Sequence, residues 1–338
     1  MINKITEIEG SCFFTCTACM SVWADALSWA NANLDRVVTN PEEADNIIIM
    51  SCQVTDLAIL HDLRTAERYH KKYPKARIFI SGCLAAREDI ELPIFIIRLE
   101  TPRCNYQPIY SKSLVKFEHP FWVPDFKDND DEKADGHLFR DMYPLRIGKG
   151  CTGSCAYCTI RIIRGAFEEY DIEKLEAEFI RFPDILLIAD SPTPSQIRQW
   201  CRIATKYGKP ISVRNVEPAV AYQCHDELVA LAGNGLLKIF HSPIQSSDEA
   251  VLIDMRRSVT MTKQAMLLAG LLKSLGVYIA TNIIIDYKDV QQDFADIYGL
   301  YHYVSWNPLW DGVWNREVAE RRFEKYINRA ECRDKLYV

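Results

Sequence analysis

Three cysteines stand close together on one short segment, Gly150-Cys151-Thr-Gly-Ser-Cys155-Ala-Tyr-Cys158. Thiolates at C-x3-C-x2-C spacing can wrap three irons of a cubane cluster and leave the fourth iron without a protein ligand. An open metal position is where a small molecule binds directly and is activated. Zinc is the plain alternative. It takes four ligands, often as two C-x2-C pairs, and no fourth partner stands nearby in sequence. The adjoining Gly148-Lys-Gly150 lacks the rest of a phosphate loop, and the seven histidines give no metal pattern.

A second group is spread through the first hundred residues. Cys16, Cys52 and Cys83 each follow, directly or within two residues, a short apolar run: 12–15, 46–50 and 77–81. The runs predict strands, and the stretches 21–33 and 58–73 between them predict helices, so this region reads as a small parallel α/β unit. In open parallel sheets ligands gather beyond the carboxyl ends of the strands, so the three thiols are expected to converge. Cys12 and Cys19 flank Cys16 at a spacing that is itself cluster-like, which makes each an additional or alternative ligand.

From Leu145 onward strand and helix alternate. Strands are predicted at 145–148, 185–189, 211–216, 237–241, 277–285 and 301–306, with helices at 172–181, 195–207, 227–232, 262–275 and 290–298. Six β/α units predict a partial (β/α)6 barrel rather than a closed eightfold one, with the active site at the strands' carboxyl ends. The amphipathic segment 316–335 is expected to close the barrel on its exterior. The hydrophilic stretch around 125–135 predicts a linker. The expected division is therefore an N-terminal α/β domain at 1–115, an acidic linker at 116–140 and the barrel with its closing helix at 141–338.

The bulk numbers narrow the function. With 338 residues, 48% hydrophobic and 25% charged, the chain can build two ordinary cores. Its formal net charge of −6 weighs against gripping a large nucleic acid chiefly through phosphates. The N-terminus has no basic-then-apolar leader, and no apolar run approaches the ~18–20 residues that span a bilayer. Twelve cysteines in clustered spacings, in a chain expected to be cytoplasmic, point to metal or redox chemistry rather than disulfides.

The motif at 151–158 is the signature of radical S-adenosylmethionine (SAM) enzymes. Further elements resemble, in order, the methylthiotransferase family of that group. Asn40-Pro-Glu-Glu-Ala-Asp45-Asn-Ile-Ile-Ile-Met-Ser-Cys52 resembles the family's acidic turn, strand and terminal cysteine, and Ile80-Ser-Gly-Cys83-Leu-Ala its Gly-Cys element. Arg164-Gly165 stands at the family's Arg-Gly spacing. Phe240-His241-Ser-Pro243-Ile-Gln245-Ser246-Ser-Asp248 and Met255-Arg-Arg257 are similar to its His-Leu-Pro-Val-Gln-Ser-Gly-Ser-Asp and Met-Lys-Arg elements. Gly165-Ala-Phe-Glu-Glu-Tyr170 looks closer to the branch acting on threonylcarbamoyladenosine in tRNA.

The resemblance implies two 4Fe-4S clusters, one on Cys151, Cys155 and Cys158 that binds SAM, and an auxiliary one on Cys16, Cys52 and Cys83. It implies a 5′-deoxyadenosyl radical that removes hydrogen from an unactivated carbon, which then collects sulfur at the auxiliary cluster. Tyr157 would pack near the adenine. Gln245, Ser246 and Arg164 become candidate contacts to SAM or substrate, Gln245 and Ser246 being equally readable as strand-end hydrogen-bonders and Arg164 as a solvated loop charge. An oxygen-sensitive transferase of this kind takes electrons from a partner such as flavodoxin or ferredoxin.

The chain departs from the family in several places. Cys19 replaces the family's Asn, Arg161 its Pro, and Asn282-Ile-Ile-Ile-Asp286-Tyr-Lys a segment otherwise rich in glycine and proline. The family's C-terminal β-barrel module has no counterpart within these residues. That feature and the acidic balance lead to the expectation of a small-molecule or peptide substrate rather than tRNA. Cys104, Cys201, Cys224 and Cys332 read as small buried hydrophobes.

Overall fold

The computed structural model describes residues 2–101, 109, 111–117, 142–290, 292–310 and 312–327. Two units divide the chain, one of Met1–Lys127 with Trp310–Val338 and the other of Asp128–Leu309.

In the first unit the strands are β1 (Cys12–Cys16), β2 (Asn46–Ser51), β3 (Arg77–Gly82), β4 (Ile96–Arg98) and β5 (Val115–Phe117). They form one parallel sheet in the order β4-β3-β2-β1-β5. Every residue of β2 is buried, as expected of a parallel strand covered on both faces. Helix α1 (Met20–Ala32) lies on the Phe14 face, with the Phe14 and Trp29 rings 5.2 Å apart. Helix α2 (Asp56–Lys72) places Ile59 and Leu63 against Phe13, Ile47 and Ile49 on the other face. Thr55 caps α2 by accepting the Ala58 N–H at 3.0 Å, worth about 1 kcal/mol. Because β5 pairs on the free side of β1, the direction of strand order reverses at β1, where such sheets open a crevice.

The C-terminal helix corrects an expectation. Arg316–Ile327 packs on α2 in the first unit instead of closing the barrel. Its apolar side buries Ala319, Phe323 and Tyr326. Its charged side finds complements on α2: Arg316 meets Glu67 at 2.6 and 3.1 Å, and Arg322 meets Asp56 at 2.7 Å. Trp310 and Trp314 pack against the same core. The boundary expected at 115/116 falls inside β5, and the rest of the anticipated linker lies outside the described residues apart from 116 and 117.

The second unit opens with β6 (Tyr143–Arg146), followed by a two-residue antiparallel pair, β7 (Gly148–Lys149) with β8 (Glu168–Glu169). Strands β9 (Ile185–Ile188), β10 (Ile211–Val213), β11 (Leu237–His241), β12 (Tyr278–Ile285) and β13 (Tyr303–Pro308) complete a six-stranded parallel sheet in chain order from β6. Helices α3 (Ile160–Arg164), α4 (Ile172–Arg181), α5 (Pro194–Tyr207), α6 (Pro218–Gln223), α7 (His225–Gly233), α8 (Glu249–Asp254), α9 (Val259–Ser274) and α10 (Ala295–Tyr298) fall between them. Strand–helix alternation of this kind is the half-open barrel that the sequence predicts. Helix α5 has clear local causes: a Thr193–Gln196 capping box, proline at its first position, and left-handed Gly208 at its end. The expected helix at 290–298 is reduced to α10, and Asp286 and Lys288 adopt left-handed backbone in the turn after β12.

Candidate metal centres and cofactor site

The loop bearing Cys151, Cys155 and Cys158 is tied down at both ends. The β7–β8 pair brackets it, and Gly150 is required there: its φ is 79°, and a Cβ would stand 2.2 Å from the Ala166 carbonyl oxygen. Asp190, just past β9, accepts the Gly150 N–H at 2.8 Å and pairs with buried Arg146 at 3.5 Å. Within the loop the Gly153 N–H donates to Cys151 Sγ at 3.2 Å, and the Ala156 N–H reaches the Met255 carbonyl at 3.1 Å. Arg257 donates to Cys155 Sγ at 3.7 Å, to Tyr157 Oη at 3.1 Å and to the Pro243 carbonyl at 2.7 Å, and pairs with Glu217 at 2.8 Å. Crowding of the Cys158 thiol by protein atoms, with Cys155 and Cys151 adding repulsion, pushes it up to about 11. Burial likewise raises Tyr157 well above its ordinary value, against the opposing pull of Arg257.

Beyond the strand ends of the same unit the backbone is held in unusual conformations. Asn215 follows β10 at φ 62°, Gln245 follows β11 at φ 70°, and Asp286 follows β12 at φ 53°. Left-handed backbone at non-glycine residues clusters at functional sites. His241 ties two of these ends together: Nδ1 accepts the Asn215 N–H at 3.1 Å, so Nε2 carries the proton and donates to Asn282 Oδ1 at 2.9 Å. Gln245 exchanges backbone hydrogen bonds with β12, at 2.8 Å to Asn282 and 2.8 Å from Ile284, leaving its side chain half-buried. Ser246 is buried, with its hydroxyl between Gln292 Oε1 at 2.5 Å and the Asp248 N–H at 3.0 Å. That is the strand-end hydrogen-bonding role. Arg164 is buried at the end of α3, not a solvated loop charge.

In the first unit Cys16 ends β1, Cys52 follows β2 and Cys83 follows β3. The register pairs Ser51 with Gly82, and the Cys83 N–H donates to the Ser51 carbonyl at 3.0 Å, which sets Cys52 and Cys83 side by side. The Val54 N–H points at Cys52 Sγ at 3.5 Å, and Asp62 accepts the Cys52 N–H at 2.8 Å. Burial pushes the Cys16 and Cys52 thiols well above their ordinary value. Cys19 adds repulsion at Cys16, and Cys83 then Cys19 add it at Cys52. Cys19 is thus a near neighbour of both thiols. Cys12 does not belong to this group. It begins β1, with its thiol near the Gly10 carbonyl and Asn46, four residues or roughly 13 Å of strand from Cys16. Of the remaining cysteines, Cys201 and Cys224 are buried, and Cys104 and Cys332 lie outside the described residues.

The donor sets suit iron–sulfur clusters by residue type: thiols alone, at strand ends, with backbone N–H groups directed at Cys52 and Cys151. Among the described residues the sulfurs are not drawn to a common metal point.

A family model described as "Uncharacterized protein family UPF0004" matches residues 16–95. A "Ribosomal protein uS12 methylthiotransferase RimO" of Desulforamulus reducens is 26% identical over 301 residues, covering 77% of this chain and 65% of its own length. A "Probable threonylcarbamoyladenosine tRNA methylthiotransferase" of Methanothermobacter thermautotrophicus is 25% identical over 292 residues, covering 80% and 68%. The RimO of Thermosipho melanesiensis aligns over 87% of this chain and 76% of its own length at 23% identity. A stretch that long must begin before Cys52 and run past Cys158, so it spans cysteines of both units. Over most of its length the chain is thus similar in sequence to methylthiotransferases. It spans 65% to 76% of the length of these relatives. The radical SAM methyltransferase TsrM of Kitasatospora setae, solved with cobalamin and a [4Fe-4S] cluster, superposes with a TM-score of 0.49 at 9% identity, covering 89% of this chain and 75% of that one.

Four residues around these family sites escape a reading of the sequence. Asp190, His241, Arg257 and Asp62 each act by touching a group distant in the chain. For His241 and Arg257 a signal was present, since both sit inside motifs that resemble the family's. Asp190 and Asp62 carry no such mark. No helix among the described residues is long and apolar enough to cross a membrane.

Proposed function

We propose that this chain is a radical SAM enzyme that forms a carbon–sulfur bond on its substrate. Cys151, Cys155 and Cys158 hold the SAM-binding cluster, and Cys16, Cys52 and Cys83 hold an auxiliary one. The observation that carries this reading is the pair of all-thiol sets, each at the carboxyl edge of its own parallel sheet. When bound, the clusters and SAM supply hydrogen abstraction and a site for the sulfur that is transferred. The protein's part is positional. Asp190 and the β7–β8 pair hold the mouth of the first loop, Arg257 holds Cys155 and Tyr157, and Asp62 holds the Cys52 backbone. His241 locks the ends of β10, β11 and β12 in the conformation that lines the site.

The net charge of −6 favours a small-molecule or peptide substrate over one held through many phosphates. Electrons come from a flavodoxin- or ferredoxin-type donor. A second reading rests on Cys19, whose coupling to both Cys16 and Cys52 would make a four-thiol set. A cluster so closed would serve electron transfer or substrate anchoring.

Anaerobic reconstitution followed by SAM and dithionite tests the proposal. The wild-type chain releases 5′-deoxyadenosine, Cys155→Ala releases none, and Cys52→Ala continues to release it. A fully loaded wild-type protein that leaves SAM intact would end the proposal.

A further inference from the structure

Arg257 makes more use of its guanidinium than a structural tie requires. One terminal nitrogen, Nη1, faces Cys155 Sγ at 3.7 Å and Tyr157 Oη at 3.1 Å; the other, Nη2, faces the Pro243 carbonyl at 2.7 Å and Glu217 at 2.8 Å. The side chain is 4% exposed and its carboxylate partner 31%, so the cation is dry on the sulfur side and its neutralising charge is partly wet. The backbone is shaped to aim it. Asp248 caps α8 by accepting the Val251 N–H at 2.9 Å, Arg256 turns left-handed at φ 58°, and the Arg257 N–H closes onto the Leu252 carbonyl at 2.8 Å. Left-handed backbone at a long side chain is strained, a strain that a purely space-filling residue would not need.

We propose that Arg257 is a positioning and tuning residue that raises the reduction potential of the cluster held by Cys151, Cys155 and Cys158; the inference rests on the function proposed above. Reduction adds one negative charge to the cluster and its thiolates. A buried cation beside one of those sulfurs, donating a hydrogen bond to it, stabilises the reduced form more than the oxidised form. Glu217 opposes the effect because it screens the same cation. Lysine would keep the charge but, as a point donor, would not hold both Tyr157 and the Pro243 carbonyl.

The test is a redox titration followed by electron paramagnetic resonance on the full reconstituted chain, reading the component of the reduced signal that changes when SAM is added. Arg257→Gln moves its midpoint to more negative potential, Arg257→Lys falls between Gln and wild type, and Glu217→Gln moves it to more positive potential. A residue that only braces the loop would shift none of these in opposite directions. If Arg257→Gln fails to hold iron, Glu217→Gln alone decides, since it leaves the arginine in place. Midpoints coincident with wild type, or shifts of reversed sign, overturn the inference. A wild-type protein with no SAM-responsive signal overturns the underlying function instead, and the two failures are thereby told apart.

Discussion

Replacing Asp62 with Asn should stabilise the metal-free protein at neutral and alkaline pH and leave it nearly unchanged below about pH 4. Asp62 is fully buried, where Oδ2 accepts the Cys52 N–H at 2.8 Å and Oδ1 meets the Thr17 hydroxyl. Thr17 Oγ1 also lies 3.1 Å from the Met50 carbonyl, and one hydroxyl proton cannot serve both acceptors. A protonated Asp62 resolves the conflict, since it donates to Thr17 and Thr17 donates to Met50. Burial agrees with this: it raises the carboxyl from 3.8 to about 8, against the smaller lowering from Thr17 and Cys52.

The sign of the pH effect follows. Between its ordinary and its folded value, Asp62 keeps a proton that the unfolded chain has released. Its contribution is thus fully present below about pH 4 and is lost as pH rises through about 8. At 1.36 kcal/mol for each pH unit, the loss is on the order of 4 kcal/mol between pH 5 and 8. Asparagine keeps the same pattern, with its amide donating to Thr17 and its oxygen accepting from Cys52, and it has no proton to lose. Urea unfolding of reduced, metal-free protein at pH 5, 6, 7 and 8 should show the variant's advantage widening steadily. Parallel stability curves for the two proteins would refute the assignment of a neutral acid.

Other consequences concern the cysteines and their loop. Cys12→Ala should retain the full iron content, because that thiol lies at the far end of β1; iron loss would place it in the cluster after all. Cys19→Ala should keep about eight irons if Cys16, Cys52 and Cys83 suffice, and a loss of about half would favour the four-thiol reading. Gly150→Ala should forfeit the iron at Cys151, Cys155 and Cys158 and cost about 1–3 kcal/mol of stability from strain alone, since its Cβ has no room beside Ala166; chemical unfolding and iron analysis read both. Cluster loading should release protons and strengthen as pH rises from 7 to 9, because Cys16, Cys52 and Cys158 all hold their protons more tightly than ordinary thiols; proton release on loading, followed with a pH indicator, checks it.

The sequence makes the strand-end cysteines legible because parallel strands are apolar runs with abrupt ends, and Asn46–Ser51 before Cys52 is such a run. The helix expected at 195–207 is found at Pro194–Tyr207, where Thr193 and Gly208 cap its two ends. The C-terminal helix was misplaced because amphipathicity tells that a face is covered and not by what; its partners Glu67 and Asp56 lie some 250 residues earlier. Cys12 was not separable from Cys16 by spacing alone, since a five-residue strand puts its first and last residues on the same face but at opposite ends. Asp62 is hidden for a related reason. A buried carboxyl in sequence looks like any surface one until the groups it touches are known.

The central claim is that two separate thiol sets each hold an iron–sulfur cluster. Metal analysis of anaerobically reconstituted wild type and Cys52→Ala tests it most directly. The expected result is about eight irons per chain in the wild type and about four in the variant, with matching sulfide and no zinc. Four irons in both proteins, or zinc in place of iron, would contradict it.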